Sequence, residues 1–226
     1  MRKFNLLSDY PKASSIRYVS DSLRTIDHRI IASYKDKDFY DGDRNFGYGG
    51  FKYDGRWKKI ASKVCKEYKL QKNSKILQLG CEKGFLLHDL KSLLPQAEIF
   101  GLETSNYAIN NSMENVKKSI KKTKSYEQLD FEEKKFDFVI GLGIVYTHTL
   151  KGAINCLKEI QRVTKGNSFV TLASYSTKED YWMFKQWTLL GTTILLENEW
   201  EKVLKHTNYQ GDYYFTNAGE LNLQNK

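Results

Sequence analysis

The segment Lys75-Ile76-Leu77-Gln78-Leu79 is an apolar run that meets Gly80-Cys81-Glu82-Lys83-Gly84 and then Phe85-Leu86-Leu87. A run this short, closed by a glycine-bearing turn, reads as a buried strand feeding a helix. A second apolar strand, Ile99-Phe100-Gly101-Leu102, ends on Glu103, nineteen residues after Gly84. Strand, glycine turn, helix and second strand make a βαβ unit, which commits the chain to a parallel sheet covered by helices. The same unit frames a nucleoside site, because a carboxylate ending an apolar strand is placed to accept both hydroxyls of a ribose. The dinucleotide fingerprint Gly-x-Gly-x-x-Gly fits poorly, since Glu82 and Phe85 stand at two of its three glycine positions. A nicotinamide cofactor is therefore the weaker reading.

The rest of the chain alternates as a doubly wound sheet requires. Trp57, Ile60, Ala61, Val64, Cys65 and Tyr68 keep helical spacing between residues 54 and 70, with Asp54 as the expected N-cap. After the strand at 75–79, helices are expected at about 84–94 and 105–120, and strands at 98–103, 124–128 and 136–142. Leu150, Ala153, Ile154, Leu157 and Ile160 carry a further helix, stopped by Lys165-Gly166-Asn167 before a strand at 168–173. A helix at 197–206 and a late strand at 211–216 close the pattern. Residues 1–53 lack sustained periodicity and read as an N-terminal cap, rich in glycine and aromatics from Asp41 to Phe51.

Gly80 and Gly84, Glu103, Phe136-Asp137-Phe138-Val139 and Arg162-Val163-Thr164-Lys165-Gly166 occur in the order and spacing of a known motif set. The chain resembles the class I S-adenosylmethionine-dependent methyltransferases, whose first motif is an apolar strand ending in Asp-x-Gly-x-Gly-x-Gly or a close variant. Gln78 stands at the usual acidic position and Glu82 at the middle glycine, so the turn is expected to aim Glu82 outward. The resemblance implies a Rossmann-like methyltransferase fold: a doubly wound, mostly parallel, seven-stranded α/β sheet. It is expected to carry a cap over residues 1–53, a methyltransferase domain over 54–226, and a substrate-side insertion after the fifth strand. S-adenosylmethionine is the implied cofactor, held by Gly80, Cys81, Glu82, Gly84, Glu103, Thr104, Ser125, Tyr126, Gly141, Leu142 and Gly143. His148, after the fourth strand, is the candidate general base. Arg44, Tyr48, Tyr53 and Arg56 in the cap, and Tyr175, Tyr181 and Trp182 in the insertion, are the candidate acceptor contacts.

The net charge of +9 on 226 residues suits an anionic partner. A small anionic acceptor, nucleotide-linked or a surface-polysaccharide precursor, methylated at oxygen or nitrogen, is the first reading. RNA is the second. A nucleoside-binding module without turnover is the third. The basic run Lys117, Lys118, Lys121, Lys122 and Lys124 has no interleaved aromatics, which argues against a single-strand groove there. His28, His88 and His206 have no metal-ligand spacing, and no metal is expected. Three widely spaced cysteines, Cys65, Cys81 and Cys156, read as reduced thiols of a soluble cytoplasmic protein with no membrane partner.

Overall fold

The computed structural model describes residues 1–12 and 15–226; Ala13 and Ser14, inside the expected cap, lie outside the described residues. Strand β1 (Arg17–Val19), helix α1 (Ile26–Ser33), helix α2 (Lys37–Asp41) and helix α3 (Lys58–Glu67) come first. The alternating core then runs β2 (Lys75–Leu79), α4 (Phe85–Leu93), β3 (Glu98–Glu103), α5 (Asn106–Asn110), α6 (Glu114–Lys117), β4 (Ile120–Lys122) and β5 (Phe138–Gly141). A 3-10 turn at Val145–Thr147 leads to α7 (Leu150–Val163), β6 (Ser168–Tyr175) and α8 (Lys178–Trp187). The chain ends with β7 (Leu195–Leu196), α9 (Glu197–His206), β8 (Asp212–Thr216) and β9 (Leu223–Asn225).

Among the described residues the sheet has seven strands in the order β4-β3-β2-β5-β6, with β7 and β8 both on β6, and every pairing in it is parallel. Side chains alternate across a strand, so neighbouring apolar residues feed opposite cores. Ile76, Phe138, Ile140 and Phe169 pack against Ile60 and Val64 of α3 and Leu86 and Leu90 of α4. Leu77, Val139, Val170 and Leu172 pack on the other face against Leu157 and Ile160 of α7 and Trp200 and Leu204 of α9. Each fully buried aliphatic side chain contributes about 1.5–3 kcal/mol. The two halves of the sheet wind outward from the β2/β5 pair, which sets a crevice at the carboxyl ends of those strands.

The N-terminal segment is stitched onto this core. The Phe4 N–H donates to the Tyr213 carbonyl at 2.9 Å and the Tyr213 N–H to the Arg2 carbonyl at 3.1 Å, which covers the outer edge of β8. β1 pairs with β9, so both ends of the chain share a small second sheet.

Three local expectations are corrected. α3 starts at Lys58 behind Trp57, because Asp54 is taken up by Arg56, whose Nε lies 2.8 and 2.9 Å from the two carboxylate oxygens. The expected helix over 105–120 breaks into α5 and α6: Asn111 Nδ2 donates to the Tyr107 carbonyl and Ser112 Oγ to that of Ile109, and such local bonds compete with the helical ladder. The third strand lies at 120–122 rather than 124–128, so Ser125 and Tyr126 sit in the loop beyond it.

Candidate active site

β2 ends at the crevice and the chain must turn at once into α4. Gly80, Glu82 and Gly84 all take positive φ, at 61°, 53° and 74°. A side chain on Gly80 would collide with Ile144, since a Cβ there falls 2.1 Å from Cδ1 of that residue. Glu82 holds the same backbone region at a cost of about 1–2 kcal/mol. Its side chain points into the crevice, not outward as expected, because the cap loop brings the Tyr48 hydroxyl to donate to its carboxylate. Burial raises the Glu82 carboxyl to about 7, with the Tyr48 hydrogen bond and Lys35 opposing and the charge of Glu103 assisting.

The next residue is also held by the cap. Lys83 Nζ donates to both carboxylate oxygens of Asp41 at 2.6 and 2.7 Å, and to the Phe51 carbonyl at 3.0 Å. Tyr48 stacks on Phe51 with ring centroids 4.5 Å apart. Glu103 is fully buried at the end of β3. Its carboxylate accepts the N–H groups of Glu82 at 2.8 Å, Thr104 at 2.7 Å and Ser105 at 2.9 Å, with Lys35 Nζ 3.6 Å away. Glu103 therefore braces the turn from behind and does not itself line the cavity.

A cavity of about 740 Å³ lies over the carboxyl ends of the central strands, within the size range of small-molecule sites. Of the residues expected from sequence, Glu82, Thr104, Ser125, Tyr126, Leu142 and Gly143 line it, as do His148, Arg44 and Tyr48. Cys81 turns into the core beside Gly101, Gly84 faces Ile120 and Val116, and Gly141 lies inside β5, so these three stand behind the wall. Tyr53 leaves the cavity altogether, donating its hydroxyl to Asp89 at 2.6 Å, and Arg56 is held by Asp54. Tyr175, Tyr181 and Trp182 meet edge to face in series with centroids 5.2 and 5.3 Å apart, outside the cavity.

The insertion reaches the cavity instead through Trp187, the last residue of α8, and through Thr188 to Thr192 beyond it. Arg24, Lys35 and Phe39 of the cap, and Glu127, also line it and were not anticipated. Glu127 had a signal, as the residue after Tyr126 on the loop that faces His148; the cap residues had none.

His148 follows the 3-10 turn, and its Nδ1 lies 3.2 Å from Glu127 Oε1. An ionised carboxylate only accepts, so Nδ1 carries the proton and the lone pair sits on Nε2. That Nε2 is buried and has no hydrogen-bond partner among the described residues. Burial lowers the imidazole pKa, with Glu127 opposing, so the ring is neutral at pH 7. The hydroxyls of Tyr40 and Tyr126 are likewise buried and without partners among the described residues. No helix of the described residues is long and apolar enough to cross a membrane, and none of their His, Cys, Asp and Glu side chains group as a metal site.

Solved structures with this fold include the YcgJ protein from Bacillus subtilis, with a TM-score of 0.52 and 13% identity over 65% of this chain and 66% of that one. The BH2331 protein from Bacillus halodurans C-125 gives 0.51 and 13%, over 65% and 67% of the two chains. The (4+2)-cyclase SpnF gives 0.51 and 15%, over 66% of this chain and 57% of its own. The chain thus spans about two thirds or less of the length of these proteins, and the likeness is one of fold. No curated protein sequence matches the chain. The model of a methyltransferase domain matches residues 70–217, well over half of the chain. That match covers the βαβ unit, the crevice and His148, and it agrees with the motif order read from the sequence: the chain belongs to the methyltransferase domain family.

Proposed function

We propose that this methyltransferase uses S-adenosylmethionine to methylate a small anionic acceptor at oxygen or nitrogen, with His148 as general base. The observation that carries the reading is the His148–Glu127 pair in the wall of the 740 Å³ cavity, with Nε2 left without a partner. A buried acceptor atom with no hydrogen bond is costly to a fold, and an acceptor O–H or N–H seated there would satisfy it. The volume admits a cofactor and a small second molecule together.

The residues present fit the cofactor. Thr104, Ser125 and Tyr126 offer polar groups to a nucleoside, and Leu142 and Gly143 continue the wall past them. When bound, S-adenosylmethionine supplies an electrophilic methyl group on a sulfonium. The chain aligns the acceptor, excludes water beneath the cap, and takes the acceptor's proton at Nε2 while Glu127 steadies the imidazolium.

A second reading gives that proton to Glu82, because its carboxyl is held near 7 in the same cavity. The two are separated by rate and affinity. His148→Ala is expected to lower kcat by about 10²–10⁴-fold, the usual worth of a positioned base, with S-adenosylhomocysteine affinity unchanged. Intact turnover in His148→Ala with loss in Glu82→Gln would move the base to Glu82. The acceptor is sought by mass spectrometry for a single added methyl across phosphorylated sugars and nucleotides.

A further inference from the structure

Four arginines gather where the cap meets the end of α8. Arg29 is occupied by the helix: it donates to the carbonyls of Lys185 at 2.8 Å, Gln186 at 3.2 Å and Thr188. Arg24 uses Nη1 on the Trp187 carbonyl, and Arg44 uses Nη1 on the carbonyls of Gly47 and Tyr48 at 2.8 and 2.9 Å. These bonds orient Arg24 and Arg44 and leave Nε and Nη2 of each without a partner among the described residues. The Arg17 guanidinium has no hydrogen bond among the described residues and lies 6.0 Å from the Trp187 ring centroid, with Arg24 5.2 Å from the same ring.

Arg17, Arg24 and Arg44 line a second cavity of about 190 Å³. It shares Arg24, Arg44 and Trp187 with the main one, so the two are neighbours separated by those three side chains at most. No carboxylate lines the smaller cavity, and among the described residues none pairs with these three guanidiniums. Burial and mutual repulsion lower the pKa of Arg24 to about 10 and lower that of Arg17 as well. Like charges placed together in a partly buried pocket destabilise a fold unless an anion joins them. Capping α8 explains Arg29 and one nitrogen of Arg24, but neither Arg17 nor Arg44. Three guanidinium forks match the oxygens and the charge of a phosphoryl group, whereas one carboxylate would leave two of the charges unanswered.

We propose that Arg17, Arg24 and Arg44 form the anion subsite of the acceptor, and that the acceptor carries a phosphomonoester or diphosphate which seats there while its nucleophile reaches the main cavity. This rests on the reading of the main cavity as the methyl-transfer site and names the chemistry of its second substrate.

The test is calorimetric and thermal-shift titration of the full chain with pyrophosphate and inorganic phosphate, with acetate at equal ionic strength as control, and with S-adenosylhomocysteine separately. Saturable pyrophosphate or phosphate binding without an acetate effect is expected, the better of the two distinguishing diphosphate from monoester. Arg17→Ala and Arg44→Ala are each expected to weaken it by about tenfold or more, with cofactor-product affinity retained; Arg17→Ala, whose guanidinium has no hydrogen bond among the described residues, also retains the unliganded Tm, and Lys121→Ala should change neither titration. Arg24→Ala also uncaps α8 and Arg44→Ala frees two carbonyls of the cap loop, so Arg17→Ala decides if either unfolds. Absence of binding by both phosphates, or binding indifferent to Arg17→Ala and Arg44→Ala, overturns the proposal. Equal loss of S-adenosylhomocysteine affinity in those variants also overturns it, by giving the arginines to the cofactor carboxylate. Failure of the underlying reading looks different: pyrophosphate would bind and S-adenosylhomocysteine would not. Single-stranded RNA binding lost in the same variants, with no response to pyrophosphate, would assign the arginines to a nucleic acid instead.

Discussion

Glu82 combines a strained backbone, a shared hydrogen bond and a displaced pKa in one residue of the turn after β2. Its carboxyl is raised from 4.5 to about 7, so the folded state holds the proton more tightly than the unfolded chain does. The stability linked to that proton is fully present below pH 4.5 and is lost as pH rises through 7. Glutamine keeps an oxygen for the Tyr48 hydroxyl and carries no charge. Glu82→Gln is therefore expected to flatten the pH dependence between 4.5 and 7 and to be more stable than the parent at pH 8. Urea denaturation at pH 5 and pH 8 checks this; an identical stability difference at both would show that the carboxyl is ionised throughout. The sequence placed Glu82 at the right position in the motif and aimed it the wrong way, because the residue that turns it inward, Tyr48, arrives from a loop 34 positions earlier.

At the scale of elements, the cap is fastened to the turn through buried charge. The Lys83 side chain is only 8% exposed and its ammonium meets Asp41 at the end of α2. Burial acts to raise the Asp41 pKa, but the hydrogen bonds from Lys83 and Tyr107 prevail and lower it, so this contribution is lost as pH falls through the lowered value. Asp41→Ala leaves a buried ammonium with only the Phe51 carbonyl, and is expected to cost about 3–5 kcal/mol. Chemical denaturation measures it, and a loss under 1 kcal/mol would show that the cap moves away and hydrates Lys83. Elements were legible where burial dictates pattern: β2, β5 and β6 are buried on both faces and mostly apolar, and α7 repeats Ala153, Leu157 and Ile160 inward. They were illegible where one residue carries the burial. In β4 only Ile120 is buried, so its lysine-rich surroundings read as a helix face.

For the whole molecule, the crevice follows from topology, and its wall follows from long-range contacts. Glu103, the glycine turn and His148 could be found from sequence because strand ends carry them to one side of the sheet. Lys35, Arg24 and Trp187 could not, since nothing periodic links the segments on either side of α1 and the end of α8 to residues of the central strands. The cap, the turn and the end of α8 together line one cavity, and its occupant decides the function. The most direct measurement is a thermal-shift titration with S-adenosylhomocysteine, with NAD as control. A ligand at a hundred times its Kd stabilises by about 2.7 kcal/mol, and a chain of this size gains roughly 2–4 °C per kcal/mol. A saturable rise of about 5–10 °C with S-adenosylhomocysteine and none with NAD is expected; no rise, or an equal rise with both, would contradict a methyl-donor site in this cavity.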